Sequence, residues 1–227
     1  MHQIHFLTQA FEQSGSLTCE LVGLSLDIAS NEFVAILEPS GTPTTLLFSI
    51  LGGGCAPTAG RVVIEGVSLY DVPHHRLQHI RMTQIGRFSH TMGLRGSISA
   101  CRSVEAPLIP LGIHAWERRA LAIEALQQVG ISYHTDHLNC ELSSVQKMQV
   151  GLARAIVHKP RLLLVEVPHN ALPPDVRRQM LRILGDLHKK GHTVVIVTDN
   201  SSTAAVAQRA VSPIKRPRRD FFRRAAA

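Results

Sequence analysis

The stretch ILEPSGTPTTLLFSILGG, residues 36–53, runs a hydrophobic strand into a short Ser-Gly-Thr turn and on into an apolar helix start. That order is the layout of a phosphate-binding loop, in which backbone N–H groups of the turn and of the helix N-terminus face an anion. The side chains tell against an intact one. Such a loop needs G-x-x-x-x-G-K followed by Ser or Thr: glycines permit the tight turn, Lys neutralises charge, and the hydroxyl binds Mg²⁺. The eight positions here read Glu38, Pro39, Ser40, Gly41, Thr42, Pro43, Thr44 and Thr45. Gly41 and Thr45 keep a clear role, and Ser40 is a further remnant. Pro43 has no N–H to donate and a fixed φ where a permissive glycine belongs. Thr44 supplies no ammonium, and Glu38 adds a carboxylate close to where an anion would sit. Losing one charge-assisted contact costs about 1.5–3 kcal/mol, so two losses weaken phosphate binding by roughly a hundredfold or more.

Outward from this loop, four segments read as buried strands: EFVAIL (32–37), RVVIEG (61–66), RLLLVEV (161–167) and TVVIVTD (193–199). Each is short, rich in Val, Ile and Leu, and bounded by breakers, as expected of strands covered on both faces. The segment LTCELVGLSLDI (17–28) is expected to pair antiparallel with 61–66. Helical patterns lie between. TTLLFSILGG opens a helix that stops at Gly52–Gly54, and HAWERRALAIEALQQVG (114–130) sets apolar residues at 116, 120, 123, 126 and 129 before a glycine stop. SSVQKMQVGLARAIVHKP (143–160) begins at a Ser N-cap and is closed by Pro160, while PPDVRRQMLRILGDLHKKG (173–191) starts on Pro and ends with basic residues before Gly191. This alternation predicts an α/β fold with a largely parallel sheet. The mostly helical stretch from about 88 to 158 interrupts it and reads as an inserted helical subdomain.

At 227 residues and 44% hydrophobic content, the chain fits one domain with ample core, residues 1–211, followed by a basic tail, 212–227. Aromatic residues are 4%, so Leu, Ile, Val and Ala must build the interior. The net charge of +7 suggests an anionic partner, yet much of it sits in KRPRRDFFRR (215–224). The tail reads as a disordered, solvated terminus in preference to a contact with lipid headgroups or nucleic acid. Cys19, Cys55, Cys101 and Cys140 lack C-x-x-C spacing and read as free thiols of a reducing compartment. No apolar run approaches the ~18 residues of a membrane span, and the start lacks a signal-peptide layout. The expectation is a cytoplasmic protein, peripheral to the inner face of a membrane if another chain provides the membrane part.

The succession LLFSILGGGCAPTAGRVVIEG, IRMTQIGRFS, SVEAPLIPLGI, LSSVQKMQVGLARAIVHKPRLLLVEVP and TVVIVTDN resembles the nucleotide-binding subunit of an ABC transporter, from about residue 7 to about 211. The subgroup serving lipoprotein release and macrolide export looks most similar. The resemblance implies a P-loop NTPase-like core with a mixed, largely parallel sheet, and Mg·ATP as the family's cofactor. It also implies head-to-tail pairing with itself or a sister subunit, and docking on a membrane-spanning partner near residues 86–110. Phe11 falls where the family stacks an aromatic ring on adenine.

Departures from the family pattern fall on the residues that would touch ATP, Mg²⁺ or water. His90 stands where the family has Gln, and the signature L-S-G-G-Q reads Leu142, Ser143, Ser144, Val145, Gln146. The second acidic motif reads Glu166, Val167, Pro168 in place of Asp-Glu-Pro, so a hydrocarbon replaces the general base. Pro173 stands for an expected Asp, and Asp199 for the switch His. The resulting expectation is a homologue without efficient hydrolysis, binding ATP and Mg²⁺ at best weakly through Phe11, Ser40, Gly41 and Thr45, with no catalytic residue and no resident metal. A working ATPase with unusual residues and an anion-binding module using the tail are the alternatives. His75 and His79, four apart in PHHRLQH (73–79), read as solvated surface histidines in preference to a metal pair.

Overall fold

The computed structural model describes residues 2–13, 16–38, 44–91, 93–168 and 172–212, with backbone alone for 2–23. In chain order the elements are β1 (His2–Gln13), β2 (Ser16–Ile28), β3 (Phe33–Leu37), α1 (Thr44–Leu51), β4 (Ala59–Ile64), β5 (Val67–Ser68), α2 (His74–Thr83) and β6 (Ile85–Phe88). There follow α3 (Ala100–Glu105), α4 (Ala115–Gln128), α5 (Ser144–Ile156), β7 (Leu162–Glu166), α6 (Pro174–Lys189), β8 (Val194–Thr198), α7 (Ser201–Ala204) and β9 (Arg209–Val211). Five strands form a parallel sheet in the order β6-β7-β8-β3-β9, and four form a separate antiparallel sheet in the order β2-β1-β4-β5.

The parallel strands are apolar along their whole length because both faces are covered. Val34, Ile36, Val195 and Val197 point to a cluster shared with α1 and the antiparallel sheet. Their neighbours Phe33, Ala35, Val194 and Ile196 point to the other face, against residues of α3 to α6. Two-residue alternation thus divides one strand between two cores. Each fully buried Leu, Ile or Val contributes about 1.5–3 kcal/mol, so the pair of clusters carries the fold. Helix α5 lies close on β6: a Cβ at Gly86 would run into the Ala155 carbonyl, and one at Gly151 into the Phe88 ring.

Several expectations are corrected. Segment 17–28 pairs with β1, and β1 intervenes between it and β4. The first residues, which carried no strand signal, form that central strand. β4 is exposed over its first three residues and belongs to the antiparallel sheet, so it is not a strand buried on both faces. Strands β6 and β9 flank the parallel sheet, where no strand was predicted. On α4 the buried residues are Ala122, Ala125 and Leu126, while Trp116 is 75% exposed. Of the predicted face, Leu126 and Val129 are buried and Ile123 is half-buried, whereas Ala120 and Trp116 are exposed; Ala122 and Ala125, which were not predicted, join the buried side. Helices α1, α5 and α6 begin within a residue of the predicted starts, and the Ser143 N-cap is formed.

Candidate functional site

The C-terminal ends of β6 and β7 meet the start of α1, the position at which α/β sheets bind ligands. Glu166 ends β7 and is 0% exposed. The Thr45 hydroxyl donates to its Oε1 at 2.6 Å and the Thr44 hydroxyl at 3.2 Å. Ser89, the first residue after β6, donates to Oε2. Ser89 Oγ also lies 2.9 Å from the Thr91 hydroxyl. Three hydroxyls from two elements therefore surround one buried carboxylate, which satisfies a charge that would be costly to leave without partners.

Arg87 lies nearby on β6, its guanidinium 4.8 Å from the centre of the Phe48 ring. Burial holds this guanidinium below the usual arginine value and Arg81 lowers it further, while Tyr70 and Glu166 pull it back up. The field of Glu166 thus reaches a cation as well as the hydroxyls.

Val167 follows Glu166 and is 0% exposed, packed in the apolar cluster under α3 to α6. Its N–H donates to Val197 O at 2.9 Å, and its carbonyl accepts from the Thr198 hydroxyl at 2.7 Å. Nothing polar remains at this position to orient water. Glu38 is buried at the end of β3, its N–H donating to Thr198 O at 2.8 Å. His90 is exposed, and Asp199 lies half-buried just after β8.

At the start of α5, Ser143 and Gln146 form a capping box: Ser143 Oγ accepts from the Gln146 N–H, and Gln146 Oε1 accepts from the Ser143 N–H. The amide of Gln146 also meets His134 Nε2 at 2.9 Å. The helix N-terminus is thereby satisfied by its own side chains. Pro173 occupies the N-cap of α6 and is exposed.

Of the expected ligand contacts, the structure brings Thr45 to Glu166. Ser40, Gly41 and Pro43 lie outside the described residues, and Phe11 is described as backbone only, paired with Thr18. The tail beyond residue 212 and His169 also lie outside them. Ser89 and Thr44 were missed as carboxylate partners. Their signal was faint: a hydroxyl residue directly after a short apolar strand, and a threonine where a lysine was sought. Among the described residues no three His, Cys, Asp or Glu side chains gather as a metal site. His75 and His79 are exposed on α2.

The ABC transporter family matches residues 21–170, and the chain belongs to it. It is 32% identical over 188 residues to the ABC transporter ATP-binding protein YvrO of Bacillus subtilis, covering 83% of this chain and 82% of that protein. A Thermotoga maritima ABC transporter ATP-binding protein is 34% identical, with 79% and 77% covered. The macrolide export ATP-binding/permease protein MacB of Hyphomonas neptunium is 32% identical over 84% of this chain, which spans only 30% of that longer protein. Among solved structures, the dimeric bacterial ABC transporter cassette MJ0796 superposes with a TM-score of 0.81 at 28% identity over 94% of each chain. The same cassette bound to ADP and Pi gives 0.80. No helix among the described residues is long and apolar enough to cross a membrane.

Proposed function

We propose that this chain is an ABC transporter ATP-binding-subunit homologue that no longer hydrolyses ATP and serves as a scaffold subunit. One observation carries the reading: the residue after Glu166, where the attacking water would be oriented, is Val167, a hydrocarbon side chain packed into the core. The surroundings agree with it. A Mg²⁺ ion is usually held by one or two carboxylates together with substrate phosphates, at near-ideal octahedral geometry. Here the available carboxylate is enclosed and accepts from Thr44, Thr45 and Ser89. The described residues therefore fit Mg·ATP poorly, and binding is weak at best. When bound in an intact relative, that group supplies the phosphoryl chemistry; in this chain Thr44, Thr45 and Ser89 hold Glu166 in place.

The scaffold role has two expected forms. One is docking on a membrane-spanning transporter subunit, as the joined permease of the MacB relatives suggests. The other is pairing with itself or with an intact sister subunit, as the MJ0796 dimer suggests. A position peripheral to the cytoplasmic face of the membrane follows from either.

A second reading, a working ATPase with unusual residues, draws on the Thr45–Glu166 contact, which keeps a hydroxyl beside an acidic strand end. Phosphate release from Mg·ATP by the purified chain separates the two. The scaffold reading expects release at the no-protein background, unchanged in Thr45→Ala. Release above background that Thr45→Ala abolishes would establish the working ATPase.

A further inference from the structure

A second cleft opens at the opposite, N-terminal edge of the parallel sheet. Its walls are the segments that enter three neighbouring strands: residues 30–31 before β3, 159–161 before β7, and 190–193 before β8. Glu65, from the turn between β4 and β5, completes the lining. The volume of about 370 Å³ falls within the ~300–1,000 Å³ of small-ligand sites. Strand β7 is five residues long, so the cleft lies about 17 Å from Glu166 at ~3.3 Å per residue and is a separate site.

The charge in this cleft is unbalanced. Lys159, Arg161 and Lys190 line it with Glu65 as the lining carboxylate, and Glu124 just outside it pairs with Lys159, which leaves the cleft net positive by one charge. Lys159 Nζ pairs with Glu124 at 3.3 Å and Lys190 Nζ donates to Gln128 O at 3.3 Å, both on α4 beside the cleft, so these two cations border the site while Arg161 faces it without such a tie. Arg161 is exposed and has no hydrogen bond or ion pair with another described residue. His192 shares the lining, and its pKa is lowered by burial and then by the charge of Lys190.

The backbone of the walls is equally particular. Among the described residues, the non-glycine residues with left-handed backbone are Asn31 (φ 56°), Glu65 (φ 49°) and Lys159 (φ 52°). All three line the cleft, beside Gly191 at φ 98°. Such conformations persist only where the surroundings impose them, and they gather where a site needs a set shape. Here the Asn31 N–H donates to the Thr193 hydroxyl at 2.9 Å, and the Lys159 N–H to Ile156 O at 2.9 Å.

We propose that this cleft binds a small phosphate-bearing anion. The Arg161 guanidinium, without a partner among the described residues, offers paired N–H donors that match phosphate oxygens, and Lys190 at the rim adds positive charge that no described carboxylate pairs. A concave site of this size suits a small molecule better than the flat surface that an acidic protein segment would cover.

The test is an amide chemical-shift titration of the full chain with inorganic pyrophosphate. Saturable shifts are expected at residues 159–161 and 190–193. In the double variant Arg161→Ser, Lys190→Ser the affinity should fall by at least about tenfold, because two charge-assisted contacts are lost. Both side chains are exposed, so the rest of the spectrum should stay unchanged, and Arg161→Lys should weaken binding less than Arg161→Ser. The proposal is overturned if shifts fail to saturate, if they fall only on residues 38–45 or 213–227, or if the double variant binds equally well. A hexaglutamate peptide that shifted these same residues more tightly than pyrophosphate would also overturn it, assigning the cleft to an acidic protein partner.

Discussion

The Thr45 hydroxyl donates to the Glu166 carboxylate across 2.6 Å, fastening the first turn of α1 to the end of β7. With Thr44 and Ser89 on the same carboxylate, the contact joins α1, β6 and β7 at one buried point. A polar group used in this way stabilises the fold.

Glu166→Gln should therefore destabilise the chain. The amide keeps one acceptor oxygen and turns an NH₂ toward hydroxyls that need an acceptor. A loss of about 2–4 kcal/mol is expected, since hydrogen bonds to charge are worth ~1.5–3 kcal/mol each and an unsatisfied donor adds to the cost. Urea unfolding followed by circular dichroism measures it, and an unchanged midpoint would show that the carboxylate ties nothing together.

Val167→Glu, which puts a carboxylate back at the expected base position, should not restore turnover. Val167 packs in an apolar cluster with both its backbone groups already bonded, so the new charge enters without a partner. A stability loss of about 2–4 kcal/mol is expected, together with phosphate release at background. Hydrolysis by this single variant would contradict the proposed scaffold role and point to the working-ATPase reading.

The orientation of α4 can be checked by a pair of substitutions. Leu126 is fully buried, and Leu126→Ala should cost about 2–5 kcal/mol by transfer and cavity terms together. Trp116 is 75% exposed, and Trp116→Ala should change stability by no more than about 0.5 kcal/mol. A larger loss from Trp116→Ala than from Leu126→Ala in thermal unfolding would mean that the first turn of α4 is packed and not exposed.

Those examples show what the sequence disclosed. Strands β3, β7 and β8 were legible because burial on both faces demands unbroken Val, Ile and Leu, and α5 and α6 because caps and prolines mark their starts. The packed face of α4 was legible only in part: Leu126 and Val129 are buried as expected, but Ala122 and Ala125 carry little apolar signal, and a large Trp points to solvent. Strand β1 was hidden by polar residues that suit an antiparallel sheet. At the site, the missing lysine and the valine after Glu166 could be read directly. The hydroxyl partners of Glu166 could not, because Ser89 and Thr44 lie 77 and 122 residues from it in the chain.

Stability should also depend on pH in a defined direction. Burial lowers the pKa of His158, offset in part by the Ile85 backbone, and burial followed by Lys190 lowers that of His192. Both rings are thus harder to protonate in the folded chain than in the unfolded one. Between their folded values and the unfolded value near ~6.5, the unfolded state binds more protons, so stability rises with pH. Unfolding free energy should fall as pH drops below about 6.5, and His158→Gln should flatten that slope. An identical slope in the variant would remove His158 from the account.

The most direct test of the central claim is equilibrium binding of Mg·ATP by calorimetry, comparing the chain with a variant carrying Glu38→Gly, Pro43→Gly and Thr44→Lys. No measurable heat of binding is expected for the chain as it stands, and clear binding is expected for the variant. Micromolar binding by the unaltered chain would contradict the claim.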